Sequence, residues 1–138
     1  MSARRQAGFT LIEIMVVIAI IGLLATIVAP NVMNRLREAK VTATKAKMSN
    51  TVKPAIEDYR RHFSKLPDTL DVLLEPSEKN FGDPYLEGED QLSDAWENRF
   101  QYMKLSSTKY DLISLGADGV EGGENDDADI HSAKSEMP

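Results

Sequence analysis

Residues 8–29 read GFTLIEIMVVIAIIGLLATIVA, and the rest of the chain is organised around them. From Phe9 to Ala29 nearly every side chain is apolar. At about 1.5 Å rise per residue, that run makes roughly 30 Å of helix, the hydrocarbon thickness of a bilayer. Arg4 and Arg5 precede it. Positive residues stay on the cytoplasmic side, so they place the N-terminus there and the rest of the chain across the membrane. One residue, Glu13, does not suit lipid. An ionised side chain in hydrocarbon costs roughly 2.5–3.5 kcal/mol. No countercharge lies within the segment, so the partner is expected on another molecule. A conventional signal peptide has a shorter apolar core, about 7–15 residues, and a small residue before its cut. Ala29 would supply that residue, but the core here is longer and Glu13 interrupts its start.

The string Gly8-Phe9-Thr10-Leu11-Ile12-Glu13, after a short basic leader and before a long apolar run, resembles the processing site of type IV pilin-like proteins. The resemblance implies cleavage by a prepilin peptidase between Gly8 and Phe9, followed by N-methylation of Phe9. It also implies that Glu13 meets the positive N-terminus of a neighbouring subunit during polymerisation. A desolvated carboxylate facing a cationic amine is the pairing that its position requires. The implied division is a leader over 1–8, a transmembrane and polymerisation segment over 9–30, and a globular domain over 31–138.

The chain has 138 residues and a formal net charge of −6. That total hides a division: residues 1–62 carry ten Lys or Arg against four acids, and residues 63–138 carry six against eighteen. A basic stem and an acidic head can attract each other between neighbouring subunits, or simply present two solvated surfaces. A net-acidic head argues against nucleic-acid binding, which needs clustered cations on the contact face. There is no cysteine, so a disulfide cannot staple the small head, and another staple is to be sought.

Pro30 predicts a kink or local melting after the apolar run. Helix is then expected from about 31 to 62. Its core stripe is Leu36, Ala39, Ala43, Ala46, Met48, Val52, Ile56, Tyr59 and Phe63. Pro54 bends that helix near 50–54 without ending it, since the periodicity resumes at Ile56. Asp68 after Pro67 is a plausible N-cap for a short helix over Leu70, Leu73 and Leu74. Residues 77–91 read as loop, with Tyr85 and Leu86 as a candidate short strand. Residues 100–104 and 109–114 alternate and flank a polar turn, which predicts an antiparallel hairpin laid on the stem. Just before it, residues 94–102 (DAWENRFQY) resemble the Asp-Pro-Trp-Gly-Asn turn and strand of major pseudopilins. Ala95 and Glu97 replace the Pro and Gly, which predicts a looser turn. Trp96 is read as a core plug.

The last informative stretch is 114–130, SLGADGVEGGENDDADI. Glycines allow tight turns that present carbonyls, and Asp118, Asp126, Asp127 and Asp129 offer hard oxygens of the kind calcium prefers. An EF-hand is excluded: Val120 and Gly122 stand where acids or Asn belong, and a strand precedes the loop. On composition alone a disordered, self-repelling acidic tail is as good a reading. The stretch Ser-Leu-Gly-Ala-Asp-Gly followed by Asp-Ala-Asp-Ile looks like the calcium loop of major pseudopilins of type II secretion systems. That resemblance implies Ca2+ held by the Leu115 and Val120 carbonyls, Asp118, Asp127, Asp129 and Ser132, with Asp126 as the competitor for Asp127.

The expected architecture is α+β. A long N-terminal helix, transmembrane in its first half, packs against a small antiparallel sheet head with a calcium-binding C-terminal loop. The resemblance covers essentially the whole chain. It implies a structural subunit of a periplasmic pseudopilus that drives secretion of folded proteins across the outer membrane. Its partners would be further copies of itself, minor pseudopilins, an inner-membrane assembly platform, the prepilin peptidase and membrane lipid. The chain would sit in the inner membrane as a single pass and then in the periplasmic filament. Two histidines in unrelated contexts and no cysteine make no nucleophile–base pair, so no enzyme is expected. The alternatives are a type IV pilin of a surface fibre and an anchored calcium module that never polymerises.

Overall fold

The structure, a computed structural model, describes residues 8–133. Most of the expected leader, with Arg4 and Arg5, lies outside the described residues. Contacts divide the chain into two units, one ending at Leu36 and the other starting at Arg37.

The first unit contains the opening of helix α1 (Leu11–Lys47). All residues from 8 to 36 are exposed. The most apolar stretch has a mean hydropathy of 2.9 and is long enough to cross a membrane. A face of Ile, Leu and Val that none of the described residues covers is suited to lipid or to other helices. Pro30 lies inside α1, and the helix continues through it. The expected local melting is therefore absent. Asn31 Nδ2 donates to the Ile27 carbonyl at 3.4 Å, one turn back, where the proline ring crowds the ladder.

In the second unit the stem passes from α1 through a π turn (Met48–Val52) into α2 (Lys53–Phe63). The π turn has a local cause. Pro54 has no N–H to give the carbonyl four residues back, and the Lys53 N–H bonds Met48 O, five residues back. One widened turn thus absorbs the proline, and the stem stays helical as expected. The buried face differs from the expected stripe. Met48, Val52 and Ile56 are buried as expected, but Leu36, Ala39, Ala43 and Ala46 are exposed, and Thr44 and Ala55 are buried instead. The alanines lie where α1 has little to pack against, since burial begins only near Val41 and Thr44.

Helix residues Met48, Val52, Ala55 and Ile56 form one core cluster with Leu66, Leu70, Leu73, Leu86, Leu92, Phe100, Leu112 and Ile130. The sheet is antiparallel, in the order β1 (Gln101–Lys104), β2 (Tyr110–Ser114), β3 (Ile130–His131). Gln101 pairs Ile113, Lys104 pairs Tyr110, and Ser114 pairs Ile130. The hairpin lies where the alternation placed it, and the architecture is α+β. Leu112 on the central strand is fully buried in the cluster, whereas β1 is an exposed edge.

Two local expectations are corrected. Asp68 does not cap a helix. The turn over Leu70–Leu73 is 3-10 with Thr69 at its N-cap, and Asp68 instead meets Lys104 Nζ at 2.6 Å. Tyr85 and Leu86 form no strand, because both backbone N–H groups donate to the Leu73 carbonyl.

Candidate functional site

At the N-terminal end, Thr10 and Glu13 close a reciprocal cap on α1. Thr10 N donates to Glu13 Oε2 at 2.8 Å, and Glu13 N donates to Thr10 Oγ1 at 3.3 Å. The Thr-x-x-Glu spacing is the sequence signal for this box. The carboxylate also stands in the first turn, at the positive end of the helix dipole. Both bonds go to Thr10 and neither supplies a positive charge. Phe9, one residue before the box, is 83% exposed.

The C-terminal loop runs from β2 to β3, and three side chains, Asp94, Asn98 and Arg37, hold it. Asp94 is buried. Its Oδ1 accepts from the N–H groups of Trp96 and Asn98, both at 2.9 Å, and its Oδ2 accepts from Ser114 Oγ at 2.5 Å. Asn98 Nδ2 donates to the Gly116 carbonyl at 2.7 Å. The turn over 94–98 is therefore tight, against the expectation of a looser one. Glu97 takes φ +69, the left-handed conformation that a Gly adopts without strain. On the stem side, Arg37 Nη1 donates to Asn125 Oδ1 at 2.9 Å, and Arg37 Nε lies 3.2 Å from Asp126 Oδ1. Trp96 is half-buried against the core, with Lys40 Nζ 5.8 Å from its ring centroid.

Two glycines permit the loop's closure. A Cβ on Gly116 (φ +68) would stand 2.6 Å from the Asp126 carbonyl oxygen, and one on Gly123 (φ +82) would stand 2.5 Å from that of Asp127. The loop also folds on itself. Ala117 N donates to the Asp126 carbonyl at 2.8 Å, Val120 N to Asp118 Oδ1 at 3.0 Å, and Gly122 N to Asp129 Oδ2 at 2.8 Å.

The expected ligands are distributed as follows. Leu115, Asp118, Val120, Asp127 and Asp129 all belong to this loop. Ser132 is buried just beyond it; its Oγ accepts from Leu112 N at 2.9 Å and donates to Asp111 Oδ1 at 3.2 Å. Among the described residues no three His, Cys, Asp or Glu side chains gather closely enough to hold a metal. The donor chemistry still fits a hard cation. Asp126 Oδ1 and Asp129 Oδ1 are both buried without a hydrogen-bond partner among the described residues, the former with only its ion-pair contact to Arg37, and a buried carboxylate oxygen without a donor is what a bound cation satisfies. The surrounding ligand candidates are carboxylates, carbonyls and a hydroxyl, all oxygens.

Next to this loop, Asp111, His131 and Ser132 meet. Burial alone would push the Asp111 carboxyl up. Hydrogen bonds from His131 Nδ1 at 2.7 Å, Ala133 N at 2.9 Å and Ser132 Oγ outweigh burial and hold it below the ordinary carboxylate range. The trio is not a nucleophilic relay, because Ser132 Oγ faces the carboxylate rather than the imidazole. It pins β3 to β2.

The sequence matches two family profiles. Residues 3–29 match the prokaryotic N-terminal methylation motif, and residues 31–133 match "Type II secretion system (T2SS), protein G". This chain belongs to the protein G family of type II secretion systems. Similar proteins include the type II secretion system core protein G of Pseudomonas aeruginosa, 44% identical over 94% of this chain and 96% of the relative. The core protein G of Vibrio cholerae is 36% identical over 92% and 91%, and that of Escherichia coli is 34% identical over 88% and 89%. Family membership agrees with the resemblance carried by the N-terminal string and the C-terminal loop, and it favours the secretion reading over the surface-fibre alternative.

Proposed function

We propose that this chain is the structural subunit of a periplasmic pseudopilus, polymerised through its N-terminal helix to drive folded proteins across the outer membrane. The observation that carries the reading is the pairing of an exposed apolar helix with one carboxylate at its head, Glu13, whose hydrogen bonds among the described residues bring no countercharge. Prepilin peptidase cuts between Gly8 and Phe9 on the cytoplasmic side and methylates the new Phe9 amine. The cationic amine of one copy meets Glu13 of the next. That contact neutralises a charge otherwise costing roughly 2.5–3.5 kcal/mol in hydrocarbon. Before assembly the chain is a single-pass inner-membrane protein with its head in the periplasm. Minor pseudopilins and an inner-membrane assembly platform complete the machinery.

Calcium is the staple that replaces a disulfide in this reading. The carbonyls of Leu115 and Val120 with Asp118, Asp127, Asp129 and Ser132 would hold it, and it would neutralise the loop's carboxylates. Asn98, Asp94 and Arg37 hold the loop in position around those ligands. Intact mass of the mature protein tests the processing step: loss of the first eight residues plus one methyl group is expected, and loss of about 29 residues would instead signal a conventional cut.

A further inference from the structure

From Arg37 onward, the exposed large hydrophobic side chains among the described residues are Phe81, Met103, Leu105 and Val120. Phe81 stands apart at 96% exposure. It also has φ +59, a left-handed conformation that a bulky residue adopts only under strain. The loop beneath it is rigid rather than loose. Ser77 N donates to the Asp83 carbonyl at 3.2 Å, and Gly82 N donates to Ser77 O at 2.9 Å. Asn80 Nδ2 donates to the carbonyls of Asp83 and Pro84, both at 3.1 Å. A braced loop thus holds an aromatic ring in water at a backbone cost that no contact among the described residues offsets. Large aromatic side chains presented this way are anchors of protein interfaces.

The same head carries a matching socket. An open groove of about 570 Å³ lies between α2 and the hairpin, lined by Lys53, Leu105, Thr108, Lys109 and Tyr110. Its floor is partly apolar, and its rim carries Lys109 together with Lys53, whose Nζ also donates to the Ser132 carbonyl at 3.5 Å. Glu57, the acid on that rim, is paired with Arg60 at 2.7 Å. The Phe81 loop has the opposite sign. Glu75, Glu78 and Asp83 flank position 81 in the chain, and the lysine among them, Lys79, donates to the His62 carbonyl at 3.0 Å. We propose that Phe81 of one copy docks into the Leu105–Tyr110 groove of the next copy in the filament. Knob and socket are different patches, so each docked copy leaves its own knob free, and the contact repeats without closing. The inference rests on the polymer reading above and adds a head-to-head contact to the helix-to-helix one.

The test places the photoreactive benzoylphenylalanine at position 81 of the full-length chain, in cells that carry the secretion machinery. Filaments formed by the unmodified chain are the control. Irradiation is expected to yield an adduct between two copies, with the attached peptide containing residues 105–110 or 53–57. An adduct elsewhere on the second copy, an adduct with a different protein, or no adduct in filaments that do form would overturn the contact while leaving the polymer intact. Absence of filaments from the unmodified chain would overturn both. Phe81→Ala and Leu105→Asp should each reduce filament yield about tenfold or more. The melting temperature of either full-length variant in detergent should not fall. A fall in melting that matches the fall in assembly would assign both residues to folding instead.

Discussion

Arg37 Nε lies 3.2 Å from Asp126 Oδ1, across 89 positions of sequence, and joins the stem to the C-terminal loop. The two carboxylates that compete as calcium ligands are thereby separated by their surroundings. Asp126 already faces a guanidinium, whereas its backbone carbonyl closes the turn onto Ala117. Asp127→Asn should therefore weaken calcium binding by about 10-fold or more, and Asp126→Asn by clearly less. Titration calorimetry of the full chain in detergent measures both, and the reverse order would assign the ligand to Asp126.

Calcium itself should stabilise the head by mass action. At a free concentration about 100 times its dissociation constant, the gain is about 2.7 kcal/mol. For a domain near 100 residues this corresponds to a rise in melting temperature of roughly 10–20 °C. Chelator should remove the rise, and Asp118→Ala should mimic chelator. A melt unchanged by chelator would remove the staple from the account.

Asn98 should act on calcium affinity through the Gly116 carbonyl it holds at 2.7 Å. Asn98→Ala is expected to lower affinity about 10–100-fold, the usual effect of removing a group that orients ligands. Equal loss of stability with and without calcium, at unchanged affinity, would reduce Asn98 to a structural role.

Glu97 occupies a left-handed position at φ +69. An L side chain there costs roughly 1–2 kcal/mol, and glycine does not meet that cost. Glu97→Gly should raise the stability of the head by about 1 kcal/mol after the glycine's greater unfolded freedom is subtracted. Denaturant unfolding measures it, and a lower midpoint would show that the Glu97 side chain contributes more than its backbone strain costs.

What the sequence made legible was local. The apolar run before Pro30 and the alternation in residues 100–114 each write their structure within a few neighbours, and the helix and hairpin follow. The Thr10–Glu13 cap was equally local and could have been found from its spacing. Other features join distant positions. Strand β3 is two residues long and exists only by pairing with β2. Thr44 reads as a surface residue until its hydroxyl is seen accepting Ala95 N at 3.1 Å. Asp94 and Asn98 looked like turn residues, and only the fold shows them clasping Ser114 and Gly116. The alanine stripe failed for another reason. Leu36, Ala39, Ala43 and Ala46 all lie in regular α-helix before the widened turn, on a stretch where burial begins only near Val41 and Thr44, so a pattern of small residues marked no buried face there.

The central claim is that Glu13 is neutralised by the amine of the next copy. Filament assembly by full-length Glu13→Ala, in cells that process and insert it normally, tests this most directly. Loss of filaments with membrane insertion, Phe9 processing and head folding all retained is the expected result. Filaments formed at the unmodified chain's yield would contradict it.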